Sequence, residues 1–169
     1  KELRDYLESR AGKNYNIVYW SPQMPNRVLF PVFNQGYLIA VNGRGIYEGM
    51  QPKYLTIGQK SEGVFNYENV EDFACICEGA FDALSVPHGV AILGKDISVA
   101  QINLLLAKYN RVYITLDMDA QAEKSKQELY KTFTHYIQTQ ILTWAGEKDP
   151  AGVGYKGMSE ILGQYEKNI

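Results

Sequence analysis

The sequence predicts an α/β protein, a mostly parallel sheet flanked by helices and preceded by a small mixed α+β subdomain. Three observations carry that expectation. From Glu71 onward, short apolar runs alternate with segments of helical periodicity, as in strand–helix–strand units of a parallel sheet. Before residue 70, two runs rich in aromatic and β-branched residues follow one another across a short turn, as in an antiparallel hairpin. The chain has 169 residues, 46% apolar and 21% charged, enough to bury a core of ordinary domain size. The expected division is residues 1–70 for the mixed subdomain and 71–169 for the parallel one.

In the first part, Leu3, Tyr6 and Leu7 keep helical spacing, and Gly12 is expected to stop that helix. Residues 27–33 and 37–41 read as strands joined by a three-residue turn, Asn34-Gln35-Gly36. Asn42-Gly43-Arg44-Gly45 follows, then a loop through Gly49, Pro52 and Gly58. In the second part, strands are expected at 73–77, 90–93, 111–116 and 137–144, and helices at 80–86, 98–109, 121–135 and 158–166. Ser98 is a suitable N-cap for its helix. Ala122, Leu129 and Phe133 share one helical face, and Met158, Ile161, Leu162 and Tyr165 another. A Gly-rich loop is expected between the last strand and the last helix.

Composition excludes several classes. No run approaches the roughly 20 apolar residues that a bilayer crossing needs, so no membrane partner is expected. Residues 1–10 form a polar amphipathic pattern instead of a charged head with an apolar core, so no signal peptide is expected; the chain reads as a piece of something longer. The only cysteines, Cys75 and Cys77, would point to one face of a strand, too close for an unstrained disulfide and far in sequence from His88 and His135. Reduced core thiols suit a cytoplasmic protein. The net charge is −2 but uneven, about +2 over residues 1–70 and about −4 over the rest, so a broad basic nucleic-acid face is not expected.

Four acids fall where this reading predicts a site. In open α/β sheets, ligands bind beyond the carboxyl ends of the strands. Glu78 follows one strand end, Asp117 and Asp119 another, and Asp149 a third. Each alone is compatible with an ordinary loop or helix-start acid. Together, at about 4 Å, each pair of carboxylates would repel by about 4 kcal/mol at an effective dielectric near 20, so a cation should offset them. The donors are all hard oxygens, which selects Mg²⁺ or Mn²⁺. Alternation across Asp117-Met118-Asp119 places both carboxylates on one side, and Gly79 after Glu78 permits close approach of a phosphate. The chemistry implied is phosphoryl or nucleotidyl transfer, or phosphodiester hydrolysis.

The ordered blocks Glu78-Gly79-Ala80-Phe81-Asp82, Asp117-Met118-Asp119 and Lys148-Asp149-Pro150 resemble the TOPRIM domain. That domain is shared by bacterial-type primases, type IA and type II topoisomerases, OLD-family nucleases and RecR-type proteins. Upstream, residues 27–32, Gly43-Arg44 and Pro52-Lys53-Tyr54-Leu55 resemble the stretch preceding TOPRIM in DnaG-type primases of bacteria and phages. The resemblance implies a TOPRIM-type fold and a primase catalytic core that joins ribonucleoside triphosphates on a single-stranded DNA template. By the same resemblance, Glu78, Asp117 and Asp119 are catalytic, and these three with Asp149 bind Mg²⁺ or Mn²⁺. Asp82, four residues after Glu78 and so on the same helical face, is read as orienting the helix start or a group behind the site; by the resemblance, Arg44 and Lys53 meet nucleotide or DNA. Lys95, after Gly94 in a strand-to-helix loop, is a further phosphate candidate, and Tyr54 a candidate base-stacking residue. A replicative helicase or other replisome protein would engage regions outside this chain, in the bacterial cytoplasm, or that of the host if a phage encodes it. The family often has a second acid where this chain has Ala151, so one ion would be held less completely. Two rivals share the acids: a TOPRIM nuclease, and a non-catalytic DNA-binding scaffold of the RecR kind.

Overall fold

The computed structural model describes residues 1–11 and 19–167. Helix α1 (Glu2–Ala11) leads into an antiparallel sheet of β1 (Arg27–Asn34), β2 (Tyr37–Gly45) and β3 (Tyr54–Gly58). Two single-turn helices, Lys60–Glu62 and Tyr67–Asn69, then connect to β4 (Ala74–Cys77), α2 (Ala80–Leu84), β5 (Gly89–Ala91) and α3 (Val99–Lys108). The chain ends with β6 (Arg111–Ile114), α4 (Ala120–Thr134), β7 (Gln138–Ile141) and α5 (Pro150–Glu166). The second sheet has the order β5-β4-β6-β7 with every pair parallel. The α/β expectation therefore holds, with the small antiparallel sheet placed first.

Alternation along β4 separates two cores. Cys75 and Cys77 face a cluster shared with Phe81, Met158 and Leu162, while Ala74 and Ile76 face one built on Leu105, Leu129 and Phe133. Helices α1, α2 and α5 thus cover one face of the parallel sheet and α3 and α4 the other, which is why both faces of its strands are apolar. Both cysteines are free and buried, and burial pushes both thiols up, as expected for inert core residues. The first cluster also joins the two sheets. Phe30 of β1 packs edge-to-face on Phe65 at 5.5 Å and on Phe81 of α2 at 5.1 Å, a geometry favoured by aromatic quadrupoles.

Four local expectations change. Asn34 pairs with Tyr37, so the hairpin turn has two residues, Gln35 and Gly36, with φ of 52° and 79°; positive φ at both matches the twist of the flanking strands. Asn42 to Gly45 continue β2 and do not leave the sheet. The supposed loop contains β3, an edge strand ending at Gly58, whose φ is +90° and whose place a Cβ would contest with the Ile39 carbonyl; Pro52 and Gly58 at its borders made a short strand read as loop. Finally, α5 starts at Pro150 rather than at Met158: Asp149 caps it, Pro150 occupies its first turn, and only Gly154 (φ 76°) breaks it into two helical pieces. Pro in the first turn sacrifices no hydrogen bond, which explains why the Gly-rich stretch is helical. The stop expected at Gly12 lies outside the described residues.

Ser98 forms a complete capping box. Its hydroxyl accepts from the Gln101 amide, and the Gln101 side chain accepts from the Ser98 amide at 3.0 Å. The buried Gln101 amide nitrogen then donates to the carbonyls of Gly63 at 2.8 Å and Ile92 at 3.0 Å. That bond set fixes the turn carrying Lys60 against the loop after β5. No helix among the described residues is long and apolar enough to cross a membrane.

Candidate functional site

The chain goes from β4 to β5 on one side and then returns to place β6 on the other. The carboxyl ends of β4 and β6 therefore flank a topological switch point, where the two connections diverge and leave a crevice. Glu78 follows β4 directly, and Asp117 follows β6 after the buried pair Thr115 and Leu116. The loop after β7 reaches the same place, because the Met118 amide donates to the Lys148 carbonyl at 2.6 Å. Three strand ends are thus joined at the main chain before any ligand is considered.

Each acid has a distinct setting. Asp119 caps α4: its Oδ1 accepts from the Ala122 amide at 2.8 Å, and its Oδ2 pairs with Lys148 Nζ at 3.0 Å. Asp149 caps α5, with Oδ1 accepting from the Gly152 amide at 2.7 Å. Asp82, on the first turn of α2, accepts from the Ala151 amide at 3.3 Å and so ties α2 to the start of α5. No hydrogen bond or ion pair reaches the carboxylates of Glu78 or Asp117 among the described residues.

The electrostatics follow these settings. Burial, with the charge of Asp117 added, holds the Glu78 carboxyl above its usual range. Burial also raises Asp117, with further repulsion from Asp149 and Asp119. Asp82 is pushed up to about 7, by burial first and then by Asp117 and Asp149. Asp119 is held below its ordinary value by the Ala122 amide and by Lys148. Three of the acids are therefore short of positive charge, and one is already compensated. Lys126 adds a cation from behind: it is 1% exposed, and its Nζ lies 3.1 Å from Met118 Sδ. The Met118 side chain, between the two aspartates, thus contacts this buried lysine.

A cleft of about 540 Å³ brings the two halves of the chain together. Glu78, Asp82, Asp117 and Asp149 line it from the parallel sheet, while Arg44 and Lys53 line it from the antiparallel sheet, with Lys95 at the β5 loop. A second hollow of about 240 Å³ holds Asp119, Lys148, Lys95, Glu78 and Asp117. Every candidate site residue read from the sequence, Glu78, Asp82, Asp117, Asp119, Asp149, Arg44, Lys53, Tyr54 and Lys95, lines one of these hollows or both. The basic side is built. Arg27 is buried and donates to the carbonyls of Gly43 at 3.1 Å and Pro52 at 2.8 Å, bracing the loop that carries Lys53. The Arg44 guanidinium sits 4.8 Å from the centroid of the Tyr54 ring, a cation–π stack that occupies one face of that ring.

Sequence reasoning missed Lys60, which lines the same cleft and donates to the Leu93 carbonyl at 2.5 Å. Its signal was hidden with that of β3: once Tyr54–Gly58 is a strand, a lysine in the turn at its end faces the acidic wall. Ala151, where the resemblance implied a second acid, packs against the first core cluster. Among the described residues, no three acid, histidine or cysteine side chains are gathered on one point as they stand. The donor set still suits a hard divalent cation, because it is all carboxylate oxygen and two of its members, Glu78 and Asp117, have no hydrogen bond or ion pair of their own among the described residues.

The chain matches known proteins in the same terms. A Toprim-like family model matches residues 75–153. A DNA primase of Aquifex aeolicus is 33% identical over 140 residues, 73% of this chain and 28% of the relative. Among solved structures, the zinc-binding and RNA polymerase domains of the Aquifex aeolicus primase superpose with a TM-score of 0.69 at 25% identity, over 96% of this chain and 46% of that one. A DnaG primase catalytic domain bound to single-stranded DNA has the same fold, with a TM-score of 0.69 at 20% identity over 95% of this chain and 62% of that one. The chain spans about a quarter of the length of the curated relatives it matches. Residues 75–153 are a TOPRIM domain, and the chain belongs to the family of the DnaG-type DNA primases.

Proposed function

We propose that this chain carries the catalytic centre for RNA primer synthesis on single-stranded DNA. The observation that carries the reading is the cleft with an acidic wall from one sheet facing a basic wall from the other. Such a cleft can bind a triphosphate from both ends, its phosphates by lysine and arginine and its counter-ions by carboxylates. In the reaction, the 3′-hydroxyl of one ribonucleotide displaces pyrophosphate from the next, and the template selects the base. Residues 1–70 would supply the basic wall, and residues 71–169 the catalytic domain.

Within that reading, Glu78, Asp117 and Asp119 hold the divalent ions, Mg²⁺ or Mn²⁺, and Asp149 supports them. Bound there, such an ion neutralises charge on the transferring phosphate and stabilises the leaving pyrophosphate. Asp82 braces α2 against α5 and so keeps Glu78 and Asp149 in register. Arg44, Lys53 and Lys95 bind template or triphosphate phosphates, and Lys60 joins them. Template selection and coupling to a replicative helicase or another replisome protein belong to regions outside this chain. The setting is the bacterial cytoplasm, or the host's for a phage protein.

The test supplies single-stranded DNA, four ribonucleoside triphosphates and Mg²⁺ or Mn²⁺, and looks for short RNA. Asp117→Asn or Asp119→Asn should lower synthesis by at least about two orders of magnitude, about 2.7 kcal/mol of transition-state stabilisation, with the fold intact. Wild-type rates in both variants would overturn the assignment. A parallel reaction without triphosphates reads out the nuclease alternative, since DNA cleavage there would favour hydrolysis over synthesis.

A further inference from the structure

We propose that Lys148 is a built-in counter-ion that holds Asp119 back, so that divalent ions load in order. The first goes to Glu78 and Asp117, and Asp119 joins only when Lys148 has been drawn off by the triphosphate. The proposal rests on the reading of these acids as ion ligands and adds the sequence in which they act.

The geometry separates Asp119 from its neighbours. Both of its oxygens are engaged, one by the α4 amide of Ala122 and the other by the Lys148 ammonium. The first contact is part of the helix cap and stays. The second is an ion pair on a long side chain 66% exposed, which can leave at little cost. Glu78 and Asp117 have no such partner and line both hollows, whereas Asp119 lines only the smaller one, beside Lys148. An ion entering the cleft therefore meets the unpaired Glu78 and Asp117 carboxylates, with Asp149, already engaged by its helix cap, beside them, before it reaches Asp119.

The position of Lys148 is itself fixed. Its carbonyl accepts from the Met118 amide, the residue between the two aspartates, so its main chain is tied to the loop that its side chain neutralises. Released from Asp119, the ammonium remains beside Lys95 in the smaller hollow. Two lysines at that spot attract the oxygens of a triphosphate, and phosphate is a stronger competitor for an ammonium than one carboxylate already shared with a helix amide. Triphosphate arrival would thus free the Asp119 carboxylate, which could then join in holding a second ion. Lys126, buried with its ammonium against Met118 Sδ, has no comparable freedom to leave.

The test is calorimetric titration of this chain with Mn²⁺ alone, without nucleotide. Glu78→Gln and Asp117→Asn should each weaken the first ion by at least about tenfold, while Asp119→Asn changes it less than about twofold. In a Lys148→Met background, Asp119→Asn should weaken binding by at least about fivefold, and Lys148→Arg should restore the insensitivity. An Asp119→Asn effect as large as that of Asp117→Asn in the parent chain would overturn the ordered loading and leave the ion site standing. No effect from any of the three acids would overturn the ion site itself, and the order with it. Thermal unfolding of each variant confirms that the fold is retained, and Lys148→Gln serves as a second neutral variant.

Discussion

Replacing Asp82 by Asn should stabilise the metal-free protein at alkaline pH and leave it unchanged in acid. Asp82 is the acid most affected by its surroundings, pushed up to about 7 by burial and by Asp117 and Asp149. The folded protein therefore keeps its proton until about pH 7, while the unfolded chain releases it near the ordinary value of about 3.9. Between those limits the folded state binds more protons, so stability falls as pH rises, and the loss is complete above about 7. At about 1.4 kcal/mol per pH unit over about three units, the ceiling is about 4 kcal/mol, and entry of water into the open cleft reduces it to about half. Asn preserves the shape and still accepts from the Ala151 amide, so the comparison isolates the charge. Urea unfolding in chelator at about pH 4 and about pH 8 reads the difference, which should nearly vanish at the lower pH. Divalent ion at the higher pH should narrow it, because a bound cation offsets the same repulsion. Equal destabilisation by Asp82→Asn at both pH values would refute the reasoning: the carboxylate would then be stabilised by the amides it accepts from, and its burial would not dominate.

The basic wall and the α3 cap give two further expectations. Lys53→Ala should weaken single-stranded DNA binding and reduce its salt slope by about one without changing the melting temperature, because the side chain faces the cleft and the loop is held by Arg27. Arg44→Ala should do the same to binding but also cost about 0.5–1 kcal/mol of stability through the lost stack on Tyr54; fluorescence titration at several salt concentrations and denaturant unfolding check both. Ser98→Ala should cost about 1 kcal/mol, since the hydroxyl caps α3 and also donates to the Ser61 carbonyl, and urea unfolding of the variant measures it.

How much of this was legible in the sequence depended on the range of the interaction. The strands β4 and β6 and helix α4 could be read because their apolar periodicity is strong and local. Ser98 was legible because a cap needs only its own helix. β3 was not, since an exposed five-residue edge strand between Pro52 and Gly58 has no apolar alternation to show and is held by its pairing with β2. The early start of α5 was hidden by Gly152 and Gly154, and its warrant is the Asp149 cap with Pro150 in the first turn. Lys60 stayed unseen because its importance comes from the fold of β3, which carries it to the cleft.

The sequence by itself determined the α/β class, the order of strands and helices from Glu71 onward, the four acids at strand ends and the resemblance to TOPRIM primases. Those are properties of spacing along the chain, and spacing survives without knowledge of what lies across the fold. Only the tertiary structure decided which acids differ. Asp119 is compensated by a lysine 29 positions away, Asp82 is raised by burial against Asp117 and Asp149, and Arg44 and Lys53 face the acids across a cleft made by two sheets. The physical reason is that charge and desolvation act through space: the field at a carboxylate is set by whatever the fold brings within a few ångströms, and the chain does not record that distance.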